Sequence, residues 1–227
     1  MARKEMKISF NMATYPKRME LSQKTIQRIL PQCDILRIYL NEYTEVPDFL
    51  RHNKIEVILG GENLKDTGKF FWANTLKSEY YFTCDDDIFL PLNYARNTIE
   101  EMTATNSLVC TCHGRILKQY PKSGMDAQKH YFFYKNQDYN KAVNYCGTGI
   151  TCFDNSKLAV PLEIFNTHGM ADEYFSLYLQ EKKIPILCRK HEAIPLIKTK
   201  ESLWNQREGY REDVKNLFYQ TKWDIYV

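Results

Sequence analysis

Tyr80-Tyr81-Phe82-Thr83-Cys84-Asp85-Asp86-Asp87 is the stretch on which the reading of this chain turns. Five residues of buried-strand type run directly into three carboxylates, and Ile88-Phe89-Leu90-Pro91 follow. The acidic triplet thus lies between apolar segments, at the end of a strand. Side chains alternate along an extended backbone, so Asp85 and Asp87 share one side and Asp86 points to the other. A hard divalent cation bridging two phosphates wants carboxylate oxygens on a rigid element, with coordination positions left open for substrate. The outer pair supplies them, spaced as an Asp-x-Asp motif. Such a motif alone is a frequent surface feature. Here the flanking apolar runs give it meaning, because three adjacent carboxylates at a sheet end cost on the order of several kcal/mol unless a cation is present.

Upstream of the triplet, the apolar-rich run 8–13 stops at Thr14-Tyr15-Pro16, and 19–30 carries Leu21, Ile26, Ile29 and Leu30 near helical spacing. The stretch 35–40 reads as a strand ending at Asn41-Glu42, 55–59 as another, and 66–76 as a helix. Strands alternating with helices predict an α/β fold with a mostly parallel sheet, whose ligands sit beyond the carboxyl ends of the strands. Thr14, Asn41 and Asp85 all fall at such ends. Downstream, 91–102 reads as a helix, 108–113 as strand-like, and 118–138 as a long loop or irregular hairpin laced with aromatic residues. The stretch 145–153 reads as glycine-kinked β structure, 172–182 as a helix and 184–188 as a strand.

A length of 227 residues fits one domain, and 44% hydrophobic with 14% aromatic residues is enough to bury a full core. The 31 basic and 28 acidic side chains leave a net charge of +3, too small and too dispersed for a nucleic-acid partner. Seven cysteines with no CxxC spacing favour neither a disulfide framework nor a zinc site. No apolar run reaches the ~18 residues of a membrane span. The expectation is a cytoplasmic protein with reduced thiols, either soluble or peripheral through a partner.

Further residues carry candidate chemistry, each with two readings open. Arg18, at the first strand-to-helix junction, suits a phosphate or a base edge, or is a plain surface arginine. Lys69, in the helix that Asp66 is expected to cap, suits a donor phosphate or a solvated face. Gly147-Thr148-Gly149 lacks the spacing of a dinucleotide fingerprint, so its glycines either admit a sugar to the backbone or relieve a bulge. Asp172 and Glu173 open a helix, where they either cap it or put a carboxylate at the anomeric centre or acceptor hydroxyl. His113 and His191 are structural or site residues, His191 completing the metal shell in the second case.

Together these segments resemble nucleotide-sugar glycosyltransferases of GT-A fold, and among them the α-N-acetylglucosaminyltransferases of heparosan-type bacterial capsules. The resemblance runs over nearly the whole chain, through residues 12–18, Leu40-Asn41-Glu42, 65–70 and Asp85-Asp86-Asp87-Ile88. It continues through His113-Gly114, Gly147-Thr148-Gly149 and Glu201-Ser202-Leu203-Trp204-Asn205. It implies one GT-A domain over 1–227, with 1–90 as the nucleotide-binding half and 91–227 as the acceptor half. The implied donor is UDP-N-acetylglucosamine or a similar UDP-sugar, the cofactor Mn²⁺ or Mg²⁺, and the acceptor an oligosaccharide or glycan, with retention at the anomeric carbon. Thr14, Tyr15, Arg18, Asn41, Asp66, Lys69, Asp85 and Asp86 would surround the nucleotide. Asp85, Asp87 and His191 would take the metal, Asp172 and Glu173 the catalysis, and His113, the 147–149 turn and Trp204 the sugar or acceptor. Other glycan-assembly proteins at an inner membrane are the implied partners. The rivals are a same-fold transferase of another hexose or deoxyhexose, including one for viral glycans, a sugar-phosphate nucleotidyltransferase, and a non-catalytic carbohydrate-binding domain. A nucleotidyltransferase normally has a glycine-rich loop after its first strand, and 12–18 contains no glycine.

Overall fold

The apolar runs of the first half become parallel strands in the computed structural model, which describes residues 6–197 and 211–227. β1 (Lys7–Thr14) passes through a 3-10 turn into α1 (Met19–Ile29), followed by β2 (Ile35–Leu40), β3 (Ile55–Leu59) and β4 (Glu79–Cys84). β1 lies between β2 and β4, with β3 outside β2, and all four are parallel. Thr14 pairs with Leu40, and Met12 with Cys84. That register brings Thr14, Asn41 and Asp85 to one edge. Both faces of the sheet are covered, which is why β4 is apolar at consecutive positions: Tyr81 packs on Phe153 on one face, and Phe82 stacks on Phe10 at 4.5 Å on the other.

The second half adds α2 (Tyr94–Thr105), β5 (Val109–Thr111), β6 (Gly114–Leu117), β7 (Ala127–Tyr131), β8 (Lys141–Val143), β9 (Tyr145–Cys146) and β10 (Ile150–Asp154). It ends with α3 (Ala171–Glu181), β11 (Ile186–Cys188) and α4 (Arg211–Gln220). The large sheet has the order β3-β2-β1-β4-β10-β5-β11-β8, and a small antiparallel sheet the order β7-β6-β9. This mixed α/β architecture is the GT-A fold expected from the sequence. β10 runs antiparallel to β4 with Ile150 opposite Cys84, which sets the 147–149 turn beside the acidic triplet; the Asp85 N–H donates to the Gly149 carbonyl at 3.1 Å.

The helix expected over 66–76 is a correction. Only a 3-10 helix at Lys65–Phe70 forms, followed by turns. Its buried residues are consecutive rather than along one stripe, with Thr67, Gly68, Lys69 and Phe70 all inside. Gly68 lies against the Tyr39 ring, where an added Cβ would stand 2.8 Å from a ring carbon, so the segment is shaped by its neighbour and not by helical periodicity. The aromatic-laced stretch forms the irregular hairpin β6–β7, with a register shift at Ile116/Leu117. All seven cysteines are buried and unpaired. Among the described residues, no helix is long and apolar enough to cross a membrane.

Candidate active site

A cleft of about 850 Å³ opens beyond the carboxyl ends of β1, β2 and β4. One wall comes from the strand ends, with Thr14, Tyr15, Arg18 and Asn41, and from Asp66 and Lys69 of the 3-10 helix. The acidic triplet forms the floor. The opposite wall comes from the small sheet and its flanks, with His113, Arg115, Phe132 and Tyr134, and from Gly147, Gly149 and Asp172.

The triplet is organised by two buried cations. Asp86 is turned under the floor and only 4% exposed; it pairs with Arg18 and accepts from the Thr14 hydroxyl at 2.8 Å. Its main-chain carbonyl accepts from the Thr25 hydroxyl at 2.8 Å, so the bend after β4 is tied to α1. Arg18 also reaches Asp87 at 3.1 Å, and the Lys69 ammonium reaches Asp85 at 2.5 Å. Burial pulls the pKa of Lys69 down, but Asp85, Asp66 and Asp172 outweigh it and hold the ammonium above its usual range. Two cations do not neutralise three carboxylates. Burial, followed by repulsion from Asp85, pushes Asp87 up to about 7 in spite of Arg18.

That surplus of negative charge fits a divalent cation. Among the described residues no three or more His, Cys, Asp and Glu side chains are grouped to hold a metal. Among the described residues a cation here would take Asp85 and Asp87, with coordination positions left open for other ligands. Gly149 makes room for this arrangement, since an added Cβ would collide with the Asp85 carboxylate, whose Cγ would lie 2.6 Å away. Gly147 does the same for His113, whose ring carbon would lie 2.8 Å from a Cβ.

Asp172 neither caps α3 nor lies idle on it. Its Oδ1 accepts from the Thr148 N–H at 2.7 Å and the Thr148 hydroxyl at 2.6 Å, which locks the turn that carries Gly147 and Gly149. The cap comes from elsewhere. Asp66 accepts from the N–H groups of Gly169 at 2.8 Å and Ala171 at 3.2 Å, so its carboxylate holds the start of α3 and not its own helix. Asn41 is 4% exposed and lines the cleft; its amide donates to the Lys65 carbonyl at 3.0 Å, and its Oδ1 has no partner. His113 is half-buried with its Nδ1 enclosed, and desolvation followed by Arg115 lowers its pKa to about 4, so its ring is neutral.

Solved structures share this fold. The fold is shared with S. aureus TarS. TarS 1–349 in complex with UDP-GlcNAc superposes with a TM-score of 0.58 over 88% of this chain at 12% identity. The complex with UDP gives 0.55 over 94% at 9% identity, and the TarS 1–349 structure without a named ligand gives 0.52 over 83% at 10%. This chain spans 59% of the TarS chain without a named ligand, 61% of the one with UDP-GlcNAc and 70% of the one with UDP. At such identities the likeness is one of fold. No family model and no curated relative matches the chain, so the capsule-enzyme resemblance finds no support beyond the fold.

Thirteen of the residues singled out from sequence meet in this cleft: Thr14, Tyr15, Arg18, Asn41, Asp66, Lys69, Asp85, Asp86, Asp87, His113, Gly147, Gly149 and Asp172. Three others do not line it. His191, expected as a metal ligand, exchanges backbone hydrogen bonds with Gln137, and its Nδ1 lies 2.8 Å from the Glu192 carbonyl. Glu173 is buried in the packing of α3, because the neighbouring position on a helix points about 100° away from Asp172. Thr148 is fully buried and serves as the anchor for Asp172. Trp204 lies outside the described residues. Sequence reasoning missed Arg115, Phe132 and Tyr134. The available signal was proximity in sequence: Arg115 is two residues beyond His113, and Phe132 and Tyr134 belong to the aromatic-laced stretch 118–138.

Proposed function

We propose that this chain is a metal-dependent glycosyltransferase that takes a UDP-sugar, with N-acetylglucosamine as the first candidate, and transfers the sugar to a hydroxyl of a glycan. The observation that carries this reading is the acidic floor of the cleft. Asp85 and Asp87 sit at the end of the central strand with more negative charge than Arg18 and Lys69 relieve. The shared fold supports it, since two of the TarS structures hold UDP-GlcNAc and UDP.

In this reading the nucleotide lies over the ends of β1 and β2. The unpartnered Asn41 Oδ1 accepts the N3–H of uracil, which relieves a buried acceptor. Mn²⁺ or Mg²⁺ held by Asp85 and Asp87 would supply the positive charge that the pyrophosphate and the departing UDP require. Arg18 and Lys69 keep the carboxylates aimed. Asp172, pinned by Thr148 and facing the cleft, receives the proton of the acceptor hydroxyl. The C1–O bond to phosphate breaks with its electron pair leaving on UDP, while the acceptor oxygen bonds to C1. A carboxylate base at that place favours attack opposite the leaving group and inversion, whereas the capsule-enzyme resemblance implies retention.

A panel of UDP-sugars with and without Mn²⁺, assayed for UDP release and for the anomeric configuration of the product by NMR, tests the reading. UDP-N-acetylglucosamine should be consumed only with metal. Consumption of another UDP-hexose in its place would change the donor and keep the reaction class. No metal-dependent turnover of any UDP-sugar would overturn the proposal.

A further inference from the structure

Arg115 is 6% exposed and lines the cleft from β6. Its Nη1 donates to the Gly124 carbonyl at 2.8 Å, and its guanidinium carbon lies 4.7 Å from the centroid of the Tyr145 ring. Its Nε is buried with no hydrogen-bond partner. Arg18 and Lys69, the other buried cations of this cleft, each hold a carboxylate of the triplet. Among the described residues no carboxylate pairs with Arg115. A buried, uncompensated cation is costly, so a fold that keeps one beside an open cleft has a use for an anion there. The geometry also selects the kind of anion. With Nη1 spent on Gly124, the Nε–Nη2 edge remains, the edge whose two parallel N–H groups match a carboxylate or a phosphate.

The surroundings separate this spot from the donor. Arg115 belongs to the small sheet, across the cleft from Thr14 and Asn41, where the nucleotide is placed. Beside it His130, Phe132 and Tyr134 occupy alternate positions, with rings stacked at 5.5 Å and 5.0 Å, and the outermost, Tyr134, is 42% exposed. Phe132 and Tyr134 also line the cleft. Aromatic rings at a cleft mouth offer an apolar flank to the C–H faces of a sugar ring. The burial that depresses His113 and His130 is reinforced by Arg115, so neither histidine contributes a competing charge.

We propose that Arg115, flanked by Phe132 and Tyr134, forms a subsite for an anionic group carried by the acceptor sugar. The proposal rests on the glycosyltransferase reading for the word acceptor, but the anion site stands on its own geometry.

Three ligands that differ only at C6 test it: methyl β-D-glucuronide, methyl β-D-glucoside 6-phosphate and methyl β-D-glucoside, titrated by NMR with and without UDP. At least one charged glycoside should bind about fivefold or more tighter than the neutral one, and the better of the two identifies the anion as carboxylate or phosphate. Arg115→Gln should abolish the preference, and Arg115→Lys, which keeps charge but loses the two-pronged edge, should retain only part of it. Equal binding of all three glycosides, or a preference that survives Arg115→Gln, overturns the proposal. If Arg115→Gln does not fold, the preference of the unmodified protein decides. A protein that prefers a charged glycoside yet does not bind UDP would sink the donor reading and leave the anion subsite in place.

Discussion

At the scale of single residues, the site is governed by charges that are compensated only in part. Asp87 is the member of the triplet on which the surplus falls. Replacing it with Asn keeps its shape and removes the like-charge repulsion, so the melting temperature without metal should hold or rise. Turnover of a UDP-sugar should fall by about 10³-fold or more, because a carboxylate that holds the cation contributes to chemistry more than to packing. Asp87→Asn with near-normal turnover in excess Mn²⁺ would remove the triplet from the mechanism. His113 makes a prediction about stability. Its folded pKa of about 4 lies below the unfolded value near 6.5, so the unfolded chain binds the extra proton first. This residue's contribution to stability is therefore complete above the unfolded pKa. It is lost as pH falls through the window toward 4, amounting in full to about 3 kcal/mol. The slope of melting temperature against pH between 4 and 6.5 should flatten in His113→Gln, and an unchanged slope would mean that other groups set the acid limit.

At the scale of elements, the strands were legible and the short connections were not. β1, β2 and β4 announce themselves as apolar runs that stop at polar residues, and the cleft forms where they stop. The 66–76 segment misled because Asp66 before a run of apolar residues looks like a cap followed by a helix. In the structure that carboxylate reaches across 103 residues to the N–H of Gly169, a long-range partner that local pattern cannot reveal. The consequence is measurable. Asp66→Ala should destabilise the fold by about 1–2 kcal/mol in urea, the usual effect of losing a helix cap, with the loss centred on α3 in hydrogen exchange. Protection of α3 equal to that of the unmodified protein would show that Asp66 holds nothing there. Asp172 divides its roles differently. If it only braces Thr148, Asp172→Asn keeps an acceptor oxygen at 2.7 Å and activity survives; if its charge takes the acceptor proton, kcat falls by about 10²-fold or more with UDP affinity unchanged. We expect the second outcome.

At the scale of the whole molecule, the cleft lies where a parallel half meets an antiparallel one, and its two walls were legible to different degrees. The strand-end wall could be read because carboxyl ends of parallel strands converge by rule. The far wall could not, since it depends on how β6 and β9 pair across 30 residues and on where the hairpin folds back. His191 shows the same limit: it follows the last strand in sequence, but a backbone bridge to Gln137 carries it away from the floor. The division between walls bears on metal dependence. If the floor works as proposed, UDP meets three carboxylates, and among the described residues the cations paired with them, Arg18 and Lys69, are already committed to those carboxylates. A divalent cation must then supply the attraction. Chelation by EDTA should weaken UDP binding by about tenfold or more, read by calorimetry in matched buffers. Uridine lacks the pyrophosphate and should bind equally weakly with or without metal, which separates loss of the cation from damage to the fold. UDP binding indifferent to EDTA would mean that Arg18 and Lys69 release the triplet and hold the phosphates themselves, and Lys69→Met would then abolish UDP binding while leaving that of uridine intact.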